Sequence, residues 1–215
     1  MVLAGLFLAP ACILDWDSLR GGVAVDAGAD VPKGDSGDGA SDAPPCKLQL
    51  LVNEVQLAGP LGPSDEFVEL RNDADCGGSL AGYELRYSSA GGSSPNAVWT
   101  GTTETIEAKG YAVIGGKAFQ GTTNLVGRWI GDTGNGVLSA TGGGVGLFGP
   151  DLLLVDSVAY ETLTNKNHPF LKPQGGTGAT NPGSGKSIAR TPDGTNTSTN
   201  ASDFKVATPT PGASN

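Results

Sequence analysis

The sequence predicts an all-β protein built as an antiparallel sandwich. Glycine contributes 35 and proline 14 of the 215 residues, whereas aromatic residues make up only 6%. This composition suits short strands joined by turns, and it suits long helices badly. No stretch keeps the 3.6-residue apolar periodicity over the length of a helix. A hydrophobic content of 38% is nevertheless enough for one sizeable core.

Seven short runs rich in Val, Leu and aromatic residues supply the expected strands. Each run is bounded by Gly, Pro, Asn or Asp, which commonly end strands and form turns. The segment Gly149-Pro150-Asp151 separates the last two runs and predicts a hairpin turn. Seven or more strands in the domain that begins at Cys46 indicate a sandwich. In chain order the runs are LQLLVNEVQL, EFVELRN, YELRY, AVWTGT, YAVIGG, GVGLFG and LLLVDSVAY.

Residues 1–11 predict an export signal. The opening MVLAGLFLAPAC is apolar from Val2 onward and has small residues just before Cys12, as in the apolar region of a short signal peptide. Its ending Ala-Pro-Ala-Cys resembles a bacterial lipobox, so we expect Cys12 to be lipidated and to begin the mature protein. Ile13 follows in place of Asp, which resembles sorting to the outer membrane of a Gram-negative bacterium. An ordinary signal peptide or a buried N-terminal strand is the alternative.

Residues 12–45 predict a disordered tether that joins the lipid to the domain. From Asp17 onward the segment consists mainly of Asp, Gly, Ala, Ser and Pro, which cannot bury enough apolar surface to fold. Seven Asp against Arg20 and Lys33 give this segment a net charge of −5, out of −9 for the whole chain. A charged tail that binds a substrate is the alternative. The acidic balance argues against a nucleic-acid partner, which needs basic patches.

The spacing of Cys46 and Cys76 predicts a disulfide. If the first two runs form a hairpin closed by residues 58–64, Leu57 opposes Asp65 and every opposed pair sums to 122. Cys46 and Cys76 then face each other at the open end, and an exported protein meets an oxidising compartment. The closed loop should contribute about 3–4 kcal/mol. Two free thiols or a zinc site are the alternatives, although two sulfurs without a nearby His make poor zinc ligands.

The stretch DEFVELRN, residues 65–72, raises the question of catalysis. Glu66 and Glu69 resemble the paired carboxylates of glycosidases. In a strand, however, Glu69 lies on the same face as Phe67, and Glu66 lies on the opposite face. We expect Phe67 to face the core and Glu69 to be a structural carboxylate hydrogen-bonded to a neighbouring loop. The two acids then cannot flank one scissile bond.

Other signals for a site fail on spacing. His168, the only histidine, lies in Asn-Lys-Asn-His-Pro and is predicted to occupy a surface loop, with no GxSxG elbow elsewhere. The segment 183–187, Gly-Ser-Gly-Lys-Ser, ends like a P-loop but has Thr180 where the first Gly belongs. A calcium loop around Asp193, Thr195 and Asn200 has too few carboxylates, so a turn is expected there. We therefore predict no catalytic residue, no metal site and no cofactor.

Several segments of residues 46–215 together have a recognisable order. They are Asn53-Glu54-Val55, residues 65–72, 80–85, 106–114 and 185–194, then Asn200, Asp203-Phe204 and residues 210–215. These segments resemble a lamin-tail domain. That resemblance implies an immunoglobulin-like β-sandwich without a catalytic centre, and bacterial members of the family occur on exported, surface-associated proteins. The chain departs from the family pattern at Tyr83, where Trp is commoner, and in the Gly-rich stretch 171–185.

Together these features predict a non-enzymatic module of the cell envelope. We expect it to be held at a membrane by its N-terminal lipid and to bind a protein or a glycan, or to help organise the envelope. The alternative is an accessory domain for a separately encoded extracellular hydrolase, or a hydrolase in its own right. An enzyme would need polar side chains converging in a pocket, and the sequence offers no such set.

Overall fold

The computed structural model describes residues 46–121, 123–161 and 163–215, so the predicted signal segment, Cys12 and the tether 12–45 lie outside the described residues. The described part contains twelve short strands and one helix of four residues. No described helix is long and apolar enough to cross a membrane. The elements are β1 Leu50–Gln56, β2 Phe67–Asn72, β3 Gly78–Ser79, β4 Glu84–Ser89, β5 Asn96–Thr100, β6 Thr105–Ile106, β7 Tyr111–Gly115, β8 Leu125–Arg128, β9 Gly143–Phe148, β10 Leu154–Tyr160, β11 Ser187–Arg190, α1 Asn200–Asp203 and β12 Phe204–Ala207.

Two larger sheets form the sandwich. The six-stranded sheet has the order β12-β11-β1-β2-β7-β8, and the four-stranded sheet has the order β10-β9-β4-β5. Strands β3 and β6 make a small separate pair. Within these sheets only β7 and β8 run parallel, and every other strand pair of the described chain is antiparallel. The predicted all-β, immunoglobulin-like sandwich is confirmed.

The main core lies between these two sheets. The six-stranded sheet contributes aliphatic side chains such as Val68, Leu70 and Ile114, all fully buried. The four-stranded sheet contributes Leu85 and Leu147, also fully buried. Non-directional burial of these side chains, worth about 25 cal/mol for each Å² of apolar surface, holds the sheets together.

All seven predicted strands are present as β1, β2, β4, β5, β7, β9 and β10. The predicted turn is also present, because the Leu152 N–H donates to the Gly149 carbonyl at 2.8 Å. Strands of two to four residues carry too little alternation to be recognised, and β3, β6, β8, β11 and β12 were not among the predicted runs.

The β1–β2 hairpin carries both the predicted disulfide and a bulge that the sequence did not reveal. Leu50 opposes Asn72, as the predicted register requires, but beyond Asn53 the register shifts by one and Gln56 opposes Phe67. The predicted register is therefore correct at the open end of the hairpin and wrong near its turn. Cys46 and Cys76 lie at the open end, where a disulfide joins them with their Cα atoms 6.4 Å apart.

The prediction that Phe67 faces the core is wrong. Val68 and Leu70 point into the main core, so Phe67 lies on the outer face of the six-stranded sheet. It is buried there all the same, because it packs against Val113 and Phe119, with the two phenyl centroids 5.1 Å apart. A second, smaller apolar cluster outside the sandwich thus covers the residue that looked most like a core position.

Candidate functional site on the outer face of the six-stranded sheet

Two glutamates are buried side by side on the outer face. Glu54 of β1 and Glu69 of β2 are cross-strand partners, and both are fully buried. The bulge at Asn53 brings them to the same side of the sheet, because it changes which residues of β1 point outward. A third carboxylate, that of Asp193, lies beside them with its side chain only 8% exposed.

A C-terminal strap, residues 208–215, covers these three carboxylates. The Thr210 N–H donates to both carboxylate oxygens of Glu54 at 3.2 Å. The Gly212 N–H donates to Oε2 of Glu69 at 2.6 Å, and the Asn215 N–H donates to Oδ1 of Asp193 at 3.3 Å. These hydrogen bonds satisfy buried carboxyl oxygens that have lost their contact with water, so the strap and the acids hold each other in place.

Side chains complete this network from the sheet side. Asn53 Nδ2 donates to Oε1 of Glu69 and to Oδ1 of Asp193, both at 2.9 Å. The Ser187 hydroxyl donates to Oε1 of Glu54 at 2.5 Å, and the Tyr111 hydroxyl donates to Oδ2 of Asp193 at 2.7 Å. The predicted hydrogen bonding of Glu69 to a neighbouring segment is therefore confirmed.

Burial sets the protonation of these acids. Desolvation raises the pKa of Glu54 to about 6 and the pKa of Glu69 to about 8, although their hydrogen bonds pull in the opposite direction. Burial also tends to raise the pKa of Asp193. The hydrogen bonds that Asp193 accepts, those from Asn53 and Tyr111 first, outweigh burial and lower this pKa. Among these neighbouring acids, Asp193 is therefore the one that most readily carries a negative charge, and Glu69 is the one that most readily holds a proton.

Glu66 binds a different segment, on the other side of the sheet. Its carboxylate accepts from the Val137 N–H at 2.5 Å and from the Leu138 N–H at 2.9 Å, which fixes the loop before β9 against the main core. Burial raises the pKa of Glu66 to about 7. Glu66 and Glu69 therefore hold different segments on opposite sides of one strand, as the alternation in DEFVELRN predicts.

An open groove of about 440 Å³ borders the strap on the same outer face. Phe67 and Phe119 form its buried floor, and Leu61 on its rim is 60% exposed. Pro209 and Pro211 of the strap form another part of its wall. The groove therefore combines apolar walls with a position next to the strap, and the full lining is Gln56, Pro60, Leu61, Asp65, Phe67, Phe119, Gln120, Gly185, Pro209 and Pro211.

His168 is buried, so the predicted surface position is wrong. Its ring Nε2 lies 3.0 Å from the Ser89 carbonyl, and its Nδ1 accepts from the Phe170 N–H at 3.2 Å. These partners require a neutral ring with the proton on Nε2, and burial lowers the pKa of His168 accordingly. The loop folds back onto β4, so the histidine links the loop to the sheet.

The remaining sequence candidates take separate structural roles. Asn200 is buried in α1, where its side chain accepts from Lys172 N at 2.8 Å and donates to the Ser157 carbonyl at 3.1 Å. It therefore serves a different cluster from that of Asp193, and the described ranges contain no group of three His, Cys, Asp or Glu side chains placed to hold a metal ion. In the P-loop-like segment, Lys186 Nζ donates to the Thr208 hydroxyl at 3.0 Å.

Sequence reasoning missed a buried ion cluster around Arg190. This fully buried guanidinium lies 2.9 Å from Asp156 and 3.3 Å from Asp203, and it stacks over the Phe204 ring at 4.4 Å. Both acids have further donors, such as the Val52 N–H on Asp156 at 2.9 Å. The only signal was an Arg within an apolar run, Ser-Ile-Ala-Arg, since a charge there has to be paired if the strand is buried.

Neither a scan against known protein-family models nor a search of curated proteins finds a match for this chain. The resemblance to lamin-tail domains therefore stays a prediction that rests on the sequence segments alone. Several of those segments meet in the outer-face network, because residues 53–55, 65–72, 185–194 and 210–215 all contribute to it.

Proposed function

We propose that this chain is a non-enzymatic module of the cell envelope, anchored by a lipid on Cys12, whose lamin-tail-like sandwich binds a protein or a glycan. The observation that carries the proposal is that the buried acids are hydrogen-bonded within the chain. Each buried Asp and Glu of the described residues already accepts a hydrogen bond from the chain itself. These acids are Glu54, Asp65, Glu66, Glu69, Asp156 and Asp203.

A catalytic carboxylate has to reach a substrate, and these carboxylates reach backbone N–H groups instead. Glu69, which has the most strongly raised pKa of the three raised glutamates, lies beneath Gly212 of the strap. Opening the Glu69 carboxyl group to solvent would break hydrogen bonds that hold the strap in place. This supports a structural role for the acids and leaves the groove beside the strap as the surface for a ligand.

The binding proposal is tested with the chain from residue 12 onward carrying Cys12→Ser, applied to a glycan array and to envelope extract in a pull-down. We expect one class of ligand to be retained, and Leu61→Glu on the groove rim to weaken its binding at least about tenfold. Leu153→Glu, on a leucine of similar exposure in the β9–β10 hairpin, is the matched control and should leave ligand binding unchanged. Equal loss with both variants would contradict the assignment to the groove.

The anchor is tested by mass spectrometry of the mature N-terminus. We expect acyl chains on Cys12, and more than one chain gives stable anchoring where a single chain is marginal. An unmodified Cys12 would remove the anchor from the proposal but leave the binding proposal open to its own test.

The proposal that the chain is not an enzyme is tested with Glu69→Gln. We expect this substitution to change stability and to leave no hydrolase activity to lose. A hydrolase activity of the purified chain that disappears in Glu69→Gln at an unchanged melting temperature would overturn the reading.

A further inference from the structure

Four consecutive aliphatic residues are exposed at one hairpin of the domain. Leu152, Leu153, Leu154 and Val155 are 57%, 67%, 43% and 43% exposed, respectively. They begin at the tip of the β9–β10 hairpin and continue into β10, which is an edge strand of the four-stranded sheet. We name residues 152–155 the apolar ridge. Single exposed leucines are common on protein surfaces, but an uninterrupted exposed run on a sheet edge marks a contact surface.

The backbone at the start of the ridge gives a second, independent indication. Leu152 adopts a φ of 61°, in the left-handed region that favours Gly, Asn or Asp. Its side chain is exposed, so packing within the domain does not compensate for that conformation. Both the backbone geometry and the contact with water disfavour leucine at this position. A role outside the folded domain accounts for both.

The ridge lies at the end of the domain where the polypeptide enters from residues 1–45. Leu48, Leu50 and Leu51 line a cleft of about 320 Å³ together with Val155 of the ridge. Cys46, two residues before Leu48, is fixed in place by its disulfide to Cys76. Val155, the last residue of the apolar ridge, therefore adjoins the segment through which residues 1–45 join the domain.

We propose that the apolar ridge inserts into the surface of the lipid bilayer, as a second membrane contact beside the lipid on Cys12. This inference rests on the proposed anchoring. A predicted tether of 34 residues, from Cys12 to Cys46, has a root-mean-square span of about 30 Å as a random coil, which keeps the ridge close to the bilayer. Aliphatic side chains that project from a narrow hairpin tip enter the interfacial region of a bilayer without a complementary partner surface.

The contact would orient the domain. A lipid at the end of the predicted tether would limit the distance of the domain from the bilayer but leave the domain free to rotate. Insertion of the ridge sets the end that carries Cys46 towards the lipid. The groove beside the strap lies on the outer face of the other sheet, so the same contact would determine how that groove is presented.

The experiment measures flotation of the chain from residue 12 onward, with Cys12→Ser, together with vesicles of phosphatidylcholine and phosphatidylethanolamine. Removing the acylation site makes the result independent of the anchor itself. We expect measurable binding that Leu153→Glu weakens about tenfold, because it places a charge at the most exposed position of the ridge. Ile130→Glu, which alters an aliphatic residue that is 59% exposed and lies outside the ridge and the groove lining, is the matched control and should bind as before.

A second variant separates this role from a structural one. Leu152→Asn should raise the melting temperature by about 2 °C, since Asn tolerates a positive φ better than Leu. The same substitution should weaken vesicle binding about threefold. If Leu152 supported the fold instead, its replacement would lower the melting temperature and leave vesicle binding unchanged.

Three outcomes would overturn the proposal. The first is the absence of vesicle binding by the Cys12→Ser chain, and the second is equal loss of binding in Leu153→Glu and Ile130→Glu. The third is a dimer in solution that Leu153→Glu dissociates, which would assign the ridge to self-association. None of them depends on the mass of the mature N-terminus, so a failure of the anchor and a failure of the ridge are distinguishable.

Discussion

The two faces of the six-stranded sheet are held by different forces. On the inner face, Val68 and Leu70 are buried against the other sheet by apolar contact. On the outer face, Glu54 and Glu69 are just as buried, but the C-terminal strap covers them through directional hydrogen bonds. Apolar contact is insensitive to pH and tolerates small shifts, whereas each carboxylate depends on particular donors and on its protonation. The core therefore stabilises the sandwich regardless of pH, whereas stabilisation by the outer face depends on particular hydrogen-bond donors and on protonation.

Removal of residues 208–215 should have the largest effect on the outer face. It leaves Glu54, Glu69 and Asp193 without their backbone donors, and a buried polar group that loses its partner costs about 1–3 kcal/mol. We expect the free energy of unfolding to fall by about 4 kcal/mol, measured by urea denaturation.

The same deletion in a Glu69→Met background provides the control. With that carboxylate gone, Gly212 has no acid to cover, so the deletion should cost measurably less. A deletion that costs under about 1 kcal/mol in the original chain would show that the strap does not stabilise the outer face.

Leu70→Ala tests the inner face. Truncation of a fully buried leucine costs about 2–5 kcal/mol, and we expect about 3 kcal/mol here. Because no titrating group is changed, this cost should be the same at pH 6.5 and pH 8.5. A cost that varied strongly with pH would mean that the two faces are coupled more tightly than their separate contacts suggest.

The pH dependence of stability should come mainly from the raised glutamates. Burial raises the pKa of Glu69 to about 8 and that of Glu66 to about 7, so the folded protein keeps protons that the unfolded chain has lost above its pKa of 4.5. This stability is fully present below pH 4.5 and is lost as pH rises through the folded pKa values. Between pH 6.5 and 8.5 we expect the free energy of unfolding to fall by about 3 kcal/mol.

Glu69→Gln should remove the larger part of that slope, since an amide does not titrate. His168 does not disturb this window, because its lowered pKa makes stability fall only when pH drops below the ordinary histidine value of 6.5. Denaturant titrations of both chains at the two pH values give the comparison. An unchanged slope in Glu69→Gln would remove Glu69 from the pH response.

The smallest effect is expected at the N-terminal side. A chain that begins at Ala43 should keep its free energy of unfolding within about 1 kcal/mol of that of the chain from residue 12 onward, because the Asp- and Gly-rich residues 17–45 have few core-forming side chains. Thermal unfolding of the two chains measures the difference. A larger loss would mean that this segment packs on the domain and stabilises it in addition to the two faces of the sheet.

The inner face was more predictable from the sequence than the outer face. Val68 and Leu70 alternate with polar neighbours, and such alternation identifies a strand with two faces. It does not say which face meets the other sheet, so Phe67 was placed in the core although it lies under Phe119 outside the sandwich. The disulfide of Cys46 was predictable because the register at the open end of the hairpin was still regular.

The outer-face network depends on information that local patterns do not carry. The bulge at Asn53 has no marker such as glycine, yet it decides that Glu54 faces Glu69. Likewise, His168 is close to Ser89 only through the folded arrangement of its loop, 79 residues away along the chain. Contacts of this kind are set by the completed fold, so single-sequence reasoning does not reach them.

The strap also constrains the order in which the protein can be completed during synthesis. Its hydrogen bonds to Glu69 and Glu54 span 143 and 156 residues, so both acids are made long before the N–H groups that will cover them. Until residue 215 has emerged, these side chains lack the N–H groups that bind them in the finished domain, and the early strands lack their final cover. The half-made domain therefore stays open on one side until its last residues have been made.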